Sequence, residues 1–300
     1  MIFRNITMFR FPPFLNLADL EAALRECALK PVGPLELASR GFVPPMGQHH
    51  TAMSQQIGTA RWITVGGEDR LLPAAVVNDL LAKKLAEIEE REGRKVGARA
   101  RRRIKDELLV EMLPRAFVRP MRVDAIIDSA LGVIVVDTAS RRVAETVVAE
   151  VRRALGSFPA LPINAEVSPR AVLTGWVAGD PLPEGFALDD ECVMRDPADS
   201  GSTVKMSRVE LGSEEVGHHL EAGRQVTRLA LTLDDRMSFT IDEDLALRKF
   251  KLLDGATDQM ESAEHDDIAA ELEARFALMA GEFRRLFVAL APALRFSAAE

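Results

Sequence analysis

Eight basic side chains crowd one short stretch: Arg91, Arg94, Lys95, Arg99, Arg101, Arg102, Arg103 and Lys105, with Glu92 as the single acid among them. That segment carries +7 in a chain of formal charge −8, so the remaining residues together hold −15. A local reversal of this size fits a polyanion, because each phosphate neutralised releases condensed counterions whatever the base sequence. A solvated helix face, an anionic lipid surface or an acidic protein partner would also account for these charges.

A second group has the residue types for hydrolysis. Asp234, Asp235, Asp242, Glu243 and Asp244 flank the expected short strand Arg236–Ile241. Paired acids on neighbouring strands can hold two metal ions against a phosphodiester, which makes a metal-dependent nuclease using Asp234, Asp235 and Asp242 the alternative to a pure binding protein. Aspartates at turns more often bond their own backbone, and that reading is preferred here. The pairs His49-His50 and His218-His219 have no carboxylate or thiol at ligand spacing, and adjacent residues point in different directions, so surface or capping roles are expected. The chain has no GxxxxGK[ST], GxGxxG, HExxH, CxxC or GxSxG, and no catalytic residue, metal or cofactor is expected.

The elements that must position the basic residues are legible from periodicity. Val76, Val77, Leu80, Leu81, Leu85 and Ile88 keep helical spacing after Pro73, and Ile104, Leu108, Leu109 and Met112 keep it again until Pro114. Two helices should therefore flank Gly93 and Gly97, with one face of the second docked and its arginines pointing elsewhere. Before them, a strand within Ile2–Phe11, a helix through Leu17, Leu20, Leu24 and Cys27 with Asn16 as its cap, and a rigid loop at Gly41–Gly47 are expected. A hairpin is expected with Ala60–Val65 and Arg70–Leu72 as its arms and Gly66-Gly67-Glu68-Asp69 as its turn.

After Phe117, the pattern predicts strands Val118–Asp128 and Gly132–Thr138, a helix from Ser140 to Leu155 stopped by Gly156, a strand at Leu161–Val167 and a helix at Ser168–Val177. Short strands at Phe186–Met194 and Thr203–Val209, a helix over Ser213–Ala222 and a three-strand meander follow, over Arg224–Leu233, Arg236–Ile241 and Leu245–Leu252. A long helix from Asp266 to Leu294 closes the chain. Hairpins mixed with helices argue α+β with antiparallel sheets and flanking helices. Gly179–Gly185, with two prolines, sets a soft boundary between residues 1–178 and 179–300, with one continuous body as the alternative.

Apolar content of 47% and charged content of 28% are those of a folded globular chain. No apolar run approaches the roughly 20 residues that span a bilayer, and the start lacks a secretory signal pattern, so no membrane role and a cytoplasmic setting are expected. Cys27 and Cys192 are too few for a disulfide framework and are expected to be buried thiols.

Several strings together are specific. Phe3-Arg4-Asn5, Gly41-Phe42-Val43-Pro44-Pro45-Met46-Gly47, Leu113-Pro114-Arg115-Ala116-Phe117, Leu155-Gly156-Ser157, Ser213-Glu214-Glu215 and Leu220-Glu221-Ala222-Gly223 make the chain resemble the RdgC family of bacterial recombination-associated proteins nearly end to end. The resemblance implies a non-enzymatic protein that binds double-stranded DNA with little sequence preference, associates with the nucleoid and restrains a RecA-type recombinase. It further implies horseshoe-like subunits that meet at both ends as a ring-shaped homodimer around a basic hole. On that basis Arg94, Lys95, Arg99, Arg101, Arg102, Arg103 and Lys105 are assigned to the hole lining. Phe117 matches a residue of one subunit contact, although an aromatic there could equally be core. Lys205–Val209 aligns near a projecting finger. Arg208 keeps the basic charge expected there, while Val209 departs from the expected polar residue.

Overall fold

Hairpins and helices alternate along the chain as its turn residues require. In a computed structural model, residues 2–13, 15–199, 201–261 and 268–297 are described. The elements begin with β1 (Thr7–Arg10), α1 (Leu20–Glu26), β2 (Ala38–Phe42), β3 (Ser54–Ile57) and β4 (Ala60–Leu71). Next come α2 (Ala74–Glu92), α3 (Ala98–Met112), β5 (Phe117–Asp128), β6 (Val133–Val136), α4 (Arg141–Leu155), β7 (Leu161–Pro162) and α5 (Pro169–Val177). The chain finishes with β8 (Phe186–Arg195), β9 (Thr203–Ser207), α6 (Glu214–Glu221), β10 (Gln225–Leu233), β11 (Met237–Asp242), β12 (Leu247–Leu252), α7 (Asp254–Glu261) and α8 (Ile268–Ala293). Strand pairing is antiparallel, which gives the expected α+β class with helices flanking the sheets.

The chain divides into two compact units. The larger comprises Met1–Glu26, Pro44–Thr64 and Val123–Glu300, and the smaller Cys27–Val43 and Val65–Arg122. The cuts at 64/65 and 122/123 fall inside β4 and β5, while residues 178 and 179 both lie in the larger unit.

In the larger unit β1 sits between β6 and β7, β5 pairs β6, and β3 pairs the first half of β4. A second sheet runs β12-β11-β10-β8-β9. The backbones of Ile6 and Leu247 exchange two hydrogen bonds, at 2.8 and 2.9 Å, and so tie the sheets together. One apolar core includes Phe3, Ile6 and Trp62 with Leu229, Phe239 and Ile241, and it receives Phe276, Met279, Phe283, Leu286 and Leu290 from α8. Trp62 and Phe276 meet with ring centroids 5.8 Å apart. Each such side chain contributes about 1.5–3 kcal/mol by leaving water. Ile268, which helical spacing placed on the docked side, is 76% exposed. Asp266 lies outside the described residues.

Asp234 and Asp235 both adopt φ +50 in the β10–β11 turn, a conformation that aspartate tolerates better than most residues. Cys192 is buried as expected, and burial pushes its thiol up to about 11, whereas Cys27 is half-buried. The strand expected at Leu161–Val167 shrinks to Leu161–Pro162.

In the smaller unit β2 pairs with the second half of β4 in the register Ala38↔Asp69 to Phe42↔Val65. The hairpin expected around Gly66-Gly67 is absent, because β4 runs unbroken from Ala60 to Leu71. These glycines serve close approach instead of turning. A Cβ on Gly66 would stand 2.8 Å from Val43 Cγ1, and one on Gly67 2.8 Å from Met121 Cγ. The hairpin turn lies earlier, at Gly58-Thr59 between β3 and β4, where Gly58 has φ +56. Helices α2 and α3 seal against each other through Val77, Leu81, Ile104 and Leu108, the four buried residues of a small core. The Arg70 guanidinium donates to the carbonyls of Gly33 and Leu113 at 3.2 and 2.8 Å, which anchors the end of α3.

Candidate polyanion interface

Local rules place the basic strip at the joint of α2 and α3. Gly93 ends α2 in the left-handed region at φ +66, where glycine is free of the usual penalty, and its N–H donates to the Glu89 carbonyl at 2.9 Å. Gly97 is the extended N-cap of α3, and Ile104 and Leu108, one turn apart, hold that helix down. The first turn of α3 has neither an acid nor a side-chain cap. Its free N–H groups and the positive end of the helix dipole therefore add to the charge of Arg99 and Arg101. Cations at this end of a helix oppose the dipole at a cost of about 0.3–1 kcal/mol each, so the arrangement lowers helix stability and raises the local positive potential.

All eight basic residues of the strip are exposed. Arg94 pairs with Glu92 at 3.3 Å and Arg103 with Glu107 at 3.2 Å. Both pairs face water, where such contacts are worth about 0–1 kcal/mol and exchange readily for a better anion. Arg91, Lys95, Arg99, Arg101, Arg102 and Lys105 make no ion pair among the described residues. Arg99, Arg102 and Arg103 share one side of α3 and line a single hollow with Gly97, Ala98, Ala100 and Asp106. Arg101 and Lys105 fall outside that hollow. The smaller unit holds 16 basic residues against 11 acidic, a net +5, which leaves −13 for the larger. Chemically, the strip presents several exposed point charges that can each pair with an anion.

The other sequence-derived residues are placed apart from the strip in the chain's elements. Phe117 opens β5 at 84% exposure, so the core alternative is excluded. Arg208 follows β9 in the larger unit, exposed, at φ +61, and without an ion pair among the described residues. Val209 is half-buried against the larger core, and its N–H donates to the Asp190 carbonyl at 3.3 Å.

The carboxylates do not assemble. Asp234 and Asp235 form the turn before β11, whereas Asp242 ends that strand. Asp242 accepts from the N–H groups of Asp244 and Ala246 at 3.1 and 2.9 Å and from Arg248 Nε at 2.9 Å, the behaviour of a turn aspartate. Glu243 is engaged by Arg170, and Asp234 lies 3.6 Å from Arg285. Among the described residues no group of three or more His, Cys, Asp or Glu could hold a metal ion. His219 Nδ1 lies 2.6 Å from an Arg224 guanidinium nitrogen. One feature of the interface was missed from sequence, the uncapped start of α3. The signal was present, since Gly97 precedes the helix where Ser, Thr, Asp or Asn would be usual.

Residues 1–296 match the family model described as "Putative exonuclease, RdgC". The chain belongs to the RdgC family. It is 56% identical over its full length, and that of the relative, to the recombination-associated protein RdgC of Xanthomonas campestris pv. campestris strain B100. The RdgC protein of Xanthomonas axonopodis pv. citri gives 56% with the same complete coverage. That of Xylella fastidiosa strain 9a5c gives 52% over all of this chain and 99% of its own. RdgC relatives are thus named for recombination, while the family description names an exonuclease. Among the described residues no helix is long and apolar enough to cross a membrane.

Proposed function

We propose that this member of the RdgC family binds double-stranded DNA through the phosphate backbone, with little base preference, and acts in recombination without cutting its substrate. The observation that carries this reading is the set of six exposed basic side chains on α2, α3 and the connector between them that have no ion-pair partner among the described residues. Phosphate contacts of this kind fix position and confer steep salt dependence without sequence readout. Arg94, Lys95, Arg99, Arg101, Arg102, Arg103 and Lys105 are the proposed contacts, with Arg208 as a further one. The acidic remainder of the chain repels DNA elsewhere and keeps the encounter on the basic side.

The finer reading is a ring-shaped homodimer of horseshoe-like subunits that encloses duplex DNA and restrains a RecA-type recombinase in the cytoplasm, at the nucleoid. The ring and the recombinase follow from the family resemblance, and of this reading the exposed Phe117 bears on one subunit contact alone. A mobility-shift titration of linear duplex at several salt concentrations tests the binding, beside sizing of the free protein. Salt-sensitive binding by a species of twice the chain mass is expected, and absence of duplex binding refutes the proposal. Incubation of plasmid with magnesium or manganese tests the exonuclease description, and no cleavage dependent on Asp235 is expected.

A further inference from the structure

Residues 93–97 join α2 to α3, and one residue pins them twice. The Glu89 carbonyl accepts from the Gly93 N–H at 2.9 Å, and Glu89 Oε1 accepts from the Val96 N–H at 3.0 Å. The first bond is ordinary helix termination. The second is a side chain reaching seven residues ahead to fasten backbone that no helix holds. Glu89 is half-buried, whereas the neighbouring Glu87, Glu90 and Glu92 are exposed. Val96 packs partly buried against the small core of Val77, Leu81, Ile104 and Leu108. The fastened amide lies one residue before Gly97, whose carbonyl takes the Arg101 N–H at 2.9 Å and begins α3. Because α3 has no side-chain cap of its own, Glu89 is the acid nearest in role to one.

We propose that Glu89 is a positioning residue for polyanion binding, an acid kept beside the basic strip because its carboxylate clasps the α2–α3 connector and fixes how Arg94, Lys95 and Arg99 are presented. The inference rests on the duplex-binding reading above. It has a sign that simple electrostatics lacks. On charge alone, removing a carboxylate beside bound phosphates tightens binding. Removing the clasp instead frees the connector, and ordering it again on binding costs affinity.

The full-length protein is compared with Glu89→Ala, Glu89→Gln and the triple variant Arg101→Glu/Arg102→Glu/Arg103→Glu. Duplex affinity is measured at fixed salt, and amide hydrogen exchange of Val96 without DNA. For Glu89→Ala, affinity is expected to fall roughly 5- to 10-fold and Val96 exchange to quicken by a similar factor, the scale of one hydrogen bond. Glu89→Gln keeps an oxygen that can accept from Val96, and it should retain slow exchange with affinity equal to or above the parent. Glu89→Ala binding as tightly as the parent, or unchanged Val96 exchange in that variant, overturns the clasp. If the triple variant binds like the parent, the duplex-binding reading through α3 fails instead, while Val96 exchange still decides the clasp.

Discussion

The two units differ in charge and in the size of their cores. The larger unit is net −13 and is built on a continuous aromatic and aliphatic core that takes in two sheets and α8. The smaller is net +5 and closes α2 on α3 with four buried side chains. Like charges in the first turn of a helix are unfavourable, and few contacts there offset them. The basic strip therefore sits beside the smaller of the two cores, where few buried side chains offset its repulsion. A region with few buried apolar contacts opens locally before the molecule unfolds.

Charge reversal should break the contrast most sharply. Arg101→Glu/Arg102→Glu/Arg103→Glu is expected to lower duplex affinity by on the order of 100-fold or more and to flatten the logarithmic salt slope by about 3, with little change in melting temperature. Unchanged affinity in a titration at three salt concentrations would remove α3 from the interface. Next in size are core truncations, which should separate the units. Phe283→Ala in the larger core should cost about 3–5 kcal/mol of global stability by denaturant titration. Ile104→Ala in the smaller core should instead speed amide exchange in α3 and weaken DNA binding before global unfolding shifts. Equal global effects of the two would erase the distinction.

Phe117→Ser should leave the fold of the single chain intact, as surface changes do, while shifting sedimentation toward the single-chain mass. A variant that remains dimeric separates this residue from assembly. The smallest effect concerns Asp137, which burial pushes above the ordinary carboxylate value of 3.8 despite the N–H groups of Arg4 and Asn5 bonded to it. A carboxyl with a raised folded-state value contributes its stability at pH below the unfolded value and loses it as pH rises through the folded value. Asp137→Asn should therefore be as stable as the parent or slightly more so at pH 7, with the difference changing only as pH falls toward 4. A pH series of melts checks the sign.

The basic strip was legible because exposed charge needs no knowledge of distant partners. Helical spacing around it was equally local, and α2 and α3 appear within a residue or two of their expected limits. The aspartate turn at Asp234-Asp235 was legible for the same reason. Gly66-Gly67 was not, since a glycine pair reads as a turn until Val43 and Met121 are known to pass within 3 Å of where its side chains would be. The division into units was also hidden. It depends on pairing residues 38–42 with 65–69, and no composition shift marks that register. Phe117 was undecided from sequence because an aromatic at a strand end suits a core or a surface, and only exposure separates them.

Six of the eight strip residues are arginines, and only Lys95 and Lys105 are lysines. A guanidinium stays protonated across the whole physiological range, and acetylation acts on lysine amines. The six arginine charges on this surface are consequently permanent. Neither acidification nor acetylation can switch them off, so on the proposed function the occupancy of DNA is set by ionic strength, by protein concentration and by what else competes for the duplex.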